Sequence, residues 1–345
     1  MKLPHYLHIR NHWKHALWFN LGAILLILLG AEGICRWLEA KASSAQERIR
    51  TERVYEVIPD DLVGGRLAPD TRRLTRKYAD GRLIYEAVVT TDPHGLRIAP
   101  PCGACDSAVL FFGDSFTYGE GVDDTATMPW RVGLRARDRY RTYNFAVHGY
   151  GPHQMLSLVE HGRVDPIVEE PVACVIYQAI YPEHVHRLMG HYSWNAHGPR
   201  YALKEDGTLR FMGPFDQQPR PSWHQAMEKS ALGRRILSYA PRAGERDKAL
   251  FVAVVCRTSE LLRQRWPGAR FHLIVWDWTD GADSLWFRQI SGAGIQVHDI
   301  RDILPDGNKS NLAYKISPDD KHPNPQTHQL IADYVTRNVL GLDVP

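Results

Sequence analysis

The sequence predicts an α/β fold with a parallel sheet, preceded by a membrane helix and a small β region. After residue 106, strand-like apolar runs alternate with helical segments, which is the pattern of a parallel sheet. An uncharged apolar stretch near the N-terminus and a hairpin-rich segment ahead of residue 106 complete the prediction. The predicted sheet strands are 108–112, 142–147, 172–180, 271–276 and 295–300, with helices at 128–137, 153–161, 248–266 and 326–338.

The composition is that of an ordinary globular protein. The 345 residues are 44% hydrophobic and have a formal net charge of +3, which suits one large domain with additions. Nucleic-acid-binding proteins usually show a tail of like charge or a basic run with interleaved aromatic residues, and this sequence has neither. The sequence therefore predicts no nucleic-acid partner.

A membrane-spanning helix is predicted over residues 16–38, behind a short basic cytoplasmic tail of residues 1–15. Residues 16–31 are uncharged and mostly apolar, and as a helix they rise about 24 Å, slightly less than the roughly 30 Å hydrocarbon core. Glu32 ends this stretch, and a carboxylate at mid-bilayer costs about 2.5–3.5 kcal/mol. Glu32 is therefore expected at an interface.

A cleaved signal peptide and a buried helix of a soluble protein are the alternatives to a retained anchor. Ala40-Lys41-Ala42 has the small-x-small form of a signal peptidase site. Arg36 and Glu39 lie ahead of it, however, where a cleavable signal is usually uncharged, so a retained anchor is favoured. Because the basic N-terminus is expected to stay in the cytoplasm, the sequence predicts a single-pass inner-membrane protein whose main domain faces the periplasm.

Between the anchor and residue 106, the sequence predicts a charged stalk, residues 39–57, and a small β region, residues 58–105. Asp80-Gly81 predicts a hairpin turn between two strands. Cys102 and Cys105 are expected to form a local disulfide outside the cytoplasm, whereas in the cytosol such a pair suggests metal or redox chemistry. No second cysteine pair has zinc-ligand spacing, and neither a metal nor a cofactor is predicted.

Ser115 is the candidate nucleophile. The apolar run 108–112 stops at Gly113, and Asp114 and Ser115 begin a polar turn. A hydroxyl at the carboxyl end of a core strand lies where open α/β sheets bind ligands, and backbone N–H groups of the following turn point toward it. Asp114 is expected to hold the turn. An ordinary turn serine is the alternative interpretation.

A serine becomes a strong nucleophile only when a base takes its proton and a third group orients that base. His322 lies on a loop just ahead of the predicted last helix, for which Asn324 is a suitable N-cap and Pro325 a suitable first residue. Asp319, three residues before His322, is expected to orient its imidazole. Asp320 is the alternative orienting group.

Three sequence blocks, in this order, resemble the SGNH (GDSL) hydrolase superfamily. Gly-Asp-Ser-Phe at 113–116 is similar to the first block, Asn-Phe-Ala-Val-His-Gly at 144–149 to the second, and Asp-x-x-His-Pro-Asn at 319–324 to the last. Gly95-Leu-Arg97 is similar to a Gly-x-Arg segment of membrane-anchored bacterial members. For Arg97, a structural pairing is favoured over contact with a substrate anion.

The resemblance implies a three-layer α/β/α, flavodoxin-like fold over residues 106–345. It also implies a serine esterase or acyltransferase with a triad of Ser115, His322 and Asp319. In such enzymes the N–H groups of the nucleophile and of the second-block glycine, here Ser115 and Gly149, form the oxyanion hole.

The third family block departs from the pattern. It should end a strand in Gly-x-Asn-Asp, but strand 172–180 is followed by Tyr-Pro-Glu-His without an asparagine. Loss of one oxyanion donor costs about 10² to 10³ in rate. Gln178 and His184 are the nearest candidates to replace it, and a slow or altered enzyme is the alternative.

Residues 183–246 are too many for a simple crossover and are predicted to form an insertion or lid that sets substrate choice. The segment contains a predicted hairpin at 201–211 and aromatic residues that include Tyr192 and Trp194. A metal site is an alternative for its histidines, although clusters without supporting Asp, Glu or Cys are more often surface or hydrogen-bonded groups. The histidines are His184, His186, His191 and His197.

The sequence favours a membrane-anchored, extracytoplasmic serine esterase that hydrolyses acyl esters. The alternatives are an O-acyltransferase acting on cell-envelope polysaccharide and a non-catalytic scaffold that retains the fold. The expected partners are an acyl ester or acylated carbohydrate substrate and the membrane. Acceptor-dependent turnover is the property that separates transfer from hydrolysis.

Overall fold

The computed structural model describes residues 5–52, 57–190, 192–217, 222–237, 243–276 and 284–343. The described helices are α1 (His5–Glu47), α2 (Ser115–Tyr118), α3 (Met128–Ala136), α4 (Pro152–Glu160), α5 (Glu183–Leu188), α6 (Ser222–Glu228), α7 (Ala231–Leu237), α8 (Glu245–Arg265), α9 (Ser284–Gly292) and α10 (Pro325–Tyr334), which continues as a π-helical turn, Val335–Val339.

The described strands alternate with these helices over most of the chain. They are β1 (Ile49–Glu52), β2 (Val57–Asp60), β3 (Gly64–Leu67), β4 (Arg72–Ala79), β5 (Arg82–Thr90), β6 (Ser107–Phe112), β7 (Tyr140–Asn144), β8 (Val172–Ile180), β9 (Pro199–Leu203), β10 (Leu209–Pro214), β11 (Arg270–Trp276), β12 (Gln296–Asp299), β13 (Lys315–Ser317) and β14 (Asp320–Pro323).

The described residues form two compact units. One unit contains α1 with α6 and α7, and the other contains the remaining elements. The predicted small β region and the predicted hydrolase-like domain therefore lie in the same unit.

In the first unit, α7 packs on α1 through charged side chains of α1. The carboxylate of Glu32 accepts hydrogen bonds from the N–H groups of Ala231 and Leu232, at 3.0 and 2.8 Å. It thereby satisfies donors that the first turn of a helix leaves unpaired. Arg234 donates to both oxygens of Glu39, at 3.1 and 2.8 Å.

Part of α1, Ala16–Ser43, is long and apolar enough to cross a membrane, with a mean hydropathy of 1.9 over its most apolar window. The helix was predicted to end near residue 38 but continues to Glu47. Residues 39–47 contain neither glycine nor proline, so nothing in this segment interrupts the helix.

The N-terminal β region is a three-stranded antiparallel sheet with the order β1-β4-β5, accompanied by the β2-β3 hairpin. The predicted Asp80-Gly81 turn is present, and both residues have positive φ, 50° and 75°, as the favoured two-residue hairpin turn requires. The predicted stalk differs from the structure, because Ile49–Glu52 pairs with the free edge of β4. An exposed strand edge is a ready template for such pairing.

The central sheet of the second unit has the strand order β12-β11-β8-β6-β7, and its neighbouring strands are parallel. Numbered along the chain, this order is 5-4-3-1-2, which is the flavodoxin-like arrangement. The predicted fold class is confirmed. The second strand, expected at 142–147, instead spans Tyr140–Asn144. The Phe145 N–H still donates to the Phe111 carbonyl of β6 at 2.9 Å, and the chain then leaves the ladder toward the Gly149 turn.

Helices cover both faces of this sheet, which produces three layers. Leu110 of β6 belongs to a buried cluster that includes residues of α4, α8 and α9. The next residue, Phe111, belongs to a second cluster with residues of α3 and α10. Successive strand residues face opposite sides, so β6, which is apolar and buried from Ala108 to Phe112, contributes to both clusters.

The strand order reverses at β6, which lies between β7 and β8. Open α/β sheets bind ligands in the crevice at this reversal, outside the carboxyl ends of the strands. The residues that follow β6 and β8 therefore face a natural binding crevice.

Candidate active site

Ser115 is the first residue of α2, three residues after the end of β6. Gly113 makes the sharp turn possible, because its φ is +153° and a Cβ at this position would overlap the Thr117 side chain. The Asp114 carboxylate accepts a hydrogen bond from the Phe116 N–H at 3.0 Å and caps the short helix. The turn thereby places the Ser115 hydroxyl at the reversal of the sheet.

His322 joins Ser115 to a carboxylate. Its Nε2 atom lies 2.9 Å from Ser115 Oγ, and its Nδ1 atom lies 2.7 Å from Asp320 Oδ1. The His322 backbone N–H also donates to Asp320 Oδ1, at 2.9 Å. These contacts have the order nucleophile, base and orienting group that serine acyl transfer requires.

The carboxylate at His322 is that of Asp320, and the expectation that Asp319 orients His322 is wrong. Asp320 and His322 both lie on β14, two residues apart, and alternate residues of a strand face the same side. Asp319 lies in the turn ahead of β14, where its carboxylate faces Arg82 at 3.5 Å. The register of the β13-β14 hairpin thus selects the second of the two aspartates.

Lys77 of β4 extends this chain of contacts. Its Nζ donates to Asp320 Oδ2 at 2.7 Å, so each oxygen of the fully buried Asp320 side chain has a partner. Sequence reasoning missed this residue, because Lys77 and Asp320 are 243 positions apart. The residues around Lys77 in the sequence show only an amphipathic hairpin and do not predict a contact with a distant carboxylate.

These contacts shift the pKa values of both groups. Burial favours the neutral form of Asp320, but its bonds to His322 and Lys77 outweigh burial and hold its pKa well below the usual range. Burial likewise opposes the charged form of His322. The hydrogen bond to Asp320 and the negative charge of Glu120 outweigh it, so the pKa of His322 is raised.

A buried network behind the turn holds Asp114. His184 Nε2 and Arg187 Nη1 lie 3.2 and 3.0 Å from Asp114 Oδ2, and Tyr177 OH lies 2.6 Å from His184 Nδ1. Burial and the nearby Arg187 lower the pKa of His184, which favours the neutral imidazole. Asp114 therefore holds the turn, as predicted, and His184 serves as part of its support.

The predicted oxyanion-hole residues have different surroundings. Gly149 has a φ of +81°, and its N–H donates to no carbonyl or side chain among the described residues. Gln178 Nε2 donates to Thr117 Oγ1 at 3.0 Å, and Gln178 Oε1 accepts from Trp276 Nε1 at 3.0 Å. The described hydrogen bonds of Gln178 and His184 do not include Ser115.

Trp194, in the segment 183–246, lies beside Gly149. A Cβ on Gly149 would lie 3.3 Å from Trp194 Nε1, so the indole approaches the glycine closely. The Trp194 ring is stacked on Tyr192, with centroids 4.1 Å apart, and remains 61% exposed. The Tyr192 hydroxyl donates to Glu183 at 2.6 Å. An open aromatic surface therefore borders the second-block loop.

A second carboxylate lies close to His322. Glu120 follows α2, is 4% exposed, and contacts the His148 ring. One ligand atom each from Glu120, His148 and His322 lies within 4.8 Å of the other two. The sequence prediction assigned no role to Glu120 or His148, although His148 directly precedes the second-block glycine.

The described histidines of the segment 183–246 have different surroundings. His184 faces Asp114, whereas His197 lies 2.6 Å from Asp216. His191 lies outside the described residues. In the described part of the segment 183–246, these histidines form no common metal site.

Arg97 is completely enclosed and has a structural role, as expected. Its Nε donates to Asp124 Oδ1 at 2.9 Å. Its two terminal nitrogens donate to four backbone carbonyls, three of which belong to the last residue of α2 and the loop that follows it. Arg97 therefore fixes the loop that leads from Ser115 to Glu120. The four carbonyls belong to Val88, Tyr118, Gly119 and Val122.

The chain has an SGNH-like fold. The strand order, a serine at the end of the first sheet strand and a histidine just ahead of the last helix coincide in one structure. Cys102 and Cys105, at the entry to this fold, are joined by a disulfide.

No protein-family model matches the chain, and no curated protein sequence matches it. Among solved structures, an acetyl xylan esterase from the rumen bacterium Butyrivibrio proteoclasticus is 14% identical, with a TM-score of 0.42 over 85% of this chain and 96% of that chain. A lipolytic protein of the G-D-S-L family from Veillonella parvula is 13% identical, with a TM-score of 0.39 over 69% of this chain and 100% of that chain.

A family two carbohydrate esterase from Clostridium thermocellum is 12% identical, with a TM-score of 0.37 over 71% of this chain and 67% of that chain.

Proposed function

We propose that the protein is a membrane-anchored serine esterase of the SGNH/GDSL type that hydrolyses acyl esters outside the cytoplasm. The observation that supports this most directly is the chain of contacts from Ser115 through His322 to Asp320, at 2.9 and 2.7 Å. A raised His322 pKa and a buried, ionised orienting carboxylate are what a general base in this role needs.

In the first step, Ser115 Oγ attacks the ester carbonyl carbon while its proton passes to His322 Nε2. Asp320 accepts a hydrogen bond from Nδ1–H and stabilises the imidazolium that forms. The N–H groups of Ser115 and Gly149 are the proposed donors to the oxyanion. The intermediate then expels the alcohol, which takes the proton from His322, and the acyl group remains esterified to Ser115.

In the second step, water attacks the acyl group on Ser115 and His322 accepts its proton. The second intermediate collapses, Ser115 Oγ recovers the proton, and the carboxylic acid leaves. Lys77 takes no part in proton transfer in this scheme, because its contact is with the far oxygen of Asp320. Its charge keeps Asp320 ionised through both steps.

A fluorophosphonate probe tests this proposal, since it labels only an activated serine. We expect the full-length chain in detergent to be labelled at Ser115, and expect Ser115→Ala and His322→Gln to abolish labelling. Ser107→Ala, which removes a partly exposed serine at the start of β6, is the matched control and should label normally. A folded wild-type chain that does not react would favour the non-catalytic scaffold.

A second candidate function, O-acyl transfer to a cell-envelope polysaccharide, is favoured by the exposed Trp194 surface next to Gly149. Sugar rings pack well on open aromatic faces, and a hydroxyl of a bound glycan would replace water in the second step. Acceptor-dependent release of the alcohol from an activated ester would identify transfer. Trp194→Ala should then reduce transfer more than hydrolysis.

Retention of α1 as a membrane anchor is also a proposal. Glu32 and Glu39 of α1 bind the backbone and Arg234 of α7, so α1 takes part in the folded protein. A cleaved leader has no need of such contacts. We propose that the second unit faces the periplasm, and detection of the intact N-terminus in the mature membrane-bound protein would establish retention.

A further inference from the structure

We propose that Glu120, His148 and His322 form a site for a divalent transition metal of the Zn²⁺ class, and that bound metal and serine catalysis exclude each other. The basis is the convergence of three side chains from distant parts of the chain, whose ligand atoms lie within 4.8 Å of one another. Among the residues described, no other three His, Cys, Asp or Glu side chains meet at this spacing.

The donor set suits Zn²⁺. Two imidazoles and one carboxylate, with a fourth position left open, are a common ligand set of zinc in proteins. Tetrahedral bonds of about 2.0–2.2 Å hold donor atoms roughly 3.3 Å apart, so the three side chains need only small adjustments. Glu120 and His148 are already in contact and would separate slightly to admit the ion.

Two of the three ligands are held by further groups, which is typical of metal sites. A metal-bound histidine usually donates its other ring N–H to a carboxylate, and His322 Nδ1 lies 2.7 Å from Asp320. The Tyr85 hydroxyl donates to Glu120 Oε1 at 3.4 Å. The ligands therefore keep their orientation without the ion.

Burial and donor chemistry indicate which cations would bind. Glu120 is nearly enclosed, whereas the His148 side chain is 30% exposed, so an ion would enter past His148. Mg²⁺ and Ca²⁺ prefer sites made only of oxygen atoms, whereas imidazole ligands favour Zn²⁺ and its neighbours. The site should therefore discriminate against Mg²⁺ and Ca²⁺.

Bound metal and serine catalysis exclude each other because both need the same nitrogen of His322. Because Nδ1 of His322 faces Asp320, Nε2 is the nitrogen available to a metal. Nε2 has a single lone pair, which either accepts the Ser115 proton or binds the ion. Bound Zn²⁺ would therefore block activation of Ser115. This regulatory half of the inference rests on the proposed function, whereas metal binding does not.

Titration calorimetry with Zn²⁺ tests metal binding independently of catalysis, using full-length Ser115→Ala protein in detergent. Glu120→Gln and His148→Gln should each lower the Zn²⁺ affinity of the proposed site by about tenfold or more. The matched controls Glu86→Gln and His161→Gln should leave that affinity unchanged. Four N-terminal histidines could bind Zn²⁺ separately, so the comparison between variants identifies the site. They are His5, His8, His12 and His15.

The binding proposal is overturned if Glu120→Gln and His148→Gln bind Zn²⁺ like their controls, or if Mg²⁺ binds as tightly as Zn²⁺. Exclusion is tested on the wild-type chain by fluorophosphonate labelling, which Zn²⁺ should suppress and a chelator should restore. If the protein binds Zn²⁺ at this site and is still labelled normally, the exclusion proposal is refuted and the binding proposal stands. If the protein is never labelled, the esterase proposal fails while the calorimetric result stands.

Discussion

Lys77 Nζ lies 2.7 Å from Oδ2 of Asp320, and the opposite oxygen of that carboxylate binds His322. A residue of the N-terminal β region thus completes the charge balance of the candidate triad. Because Asp320 is fully buried, loss of its cationic partner leaves a carboxylate that water cannot solvate.

Replacement of Lys77 by Met should lower both stability and activity. Removal of one partner of a buried ion pair typically costs about 3–5 kcal/mol. Because Lys77 is partly exposed, we expect the free energy of unfolding, measured by urea denaturation, to fall by about 3 kcal/mol or less. Arg82→Met is the matched control: its pair with Asp319 is exposed at 3.5 Å, and the expected change is about 0.5 kcal/mol or less. Equal effects of the two substitutions would contradict the role given to Lys77.

Asp320→Asn and Asp319→Asn should differ sharply in their effect on ester hydrolysis. The amide at 320 can no longer stabilise the imidazolium of His322, so we expect kcat for ester hydrolysis to fall about 10² to 10⁴-fold. Asp319→Asn should retain activity close to that of the wild type, because its carboxylate faces Arg82. A larger loss at 319 than at 320 would show that the orienting group is not the one seen in the structure.

The acid limb of kcat/KM should report the raised pKa of His322. As the pH falls, His322 becomes protonated and can no longer accept the Ser115 proton, so activity falls. Because the His322 pKa is raised, the midpoint should lie above the ordinary histidine value of about 6.5. Glu120→Gln removes one of the charges that raise it and should shift the midpoint to lower pH. A shift to higher pH would disprove this assignment.

Arg97→Lys and Arg97→Met should both destabilise the protein. The lysine ammonium cannot reproduce the planar fork of donors that reaches Asp124 and four carbonyls. We expect Arg97→Met to lower the free energy of unfolding by about 3–5 kcal/mol. Arg76→Met, which breaks an exposed pair with Glu86, is the control and should leave the free energy of unfolding nearly unchanged.

Glu32→Gln should loosen the attachment of α7 to α1. The amide has one acceptor oxygen in place of two, so one of the N–H groups of Ala231 and Leu232 loses its partner. Trypsin should then cut the full-length protein faster after Arg234. Glu39→Gln removes an exposed contact with Arg234 and should have a smaller effect. Equal cleavage rates for wild type and Glu32→Gln would indicate that Glu32 does not hold α7.

The features that could be predicted from sequence are those with short-range signals. The strand at 172–180 is observed with those bounds, since it is an apolar run interrupted only by Gln178. Ser115 and His322 could be predicted because each stands at a fixed offset from a recognisable boundary, a glycine-ended strand and a proline-initiated helix. Their contact at 2.9 Å is then a consequence of the parallel topology.

The features that could not be predicted depend on register or on contacts between distant segments. Adjacent aspartates at 319 and 320 are equivalent in sequence until the start of β14 decides which one shares a face with His322. Lys77 and Glu120 meet the site only after the β region packs beside the loop that follows α2. No periodic pattern in the sequence indicates these long-range contacts.

The hydrogen bonds of Arg97 determine the smallest portion of the protein that can function alone. A truncated protein beginning at Ser107 would keep the five parallel strands and the three triad residues, and on sequence grounds it would resemble a whole domain. It would lack the guanidinium that fixes the loop after α2 and the ammonium that neutralises Asp320. Shuffling of the β region between related proteins would therefore exchange part of the candidate active site, and not a dispensable spacer.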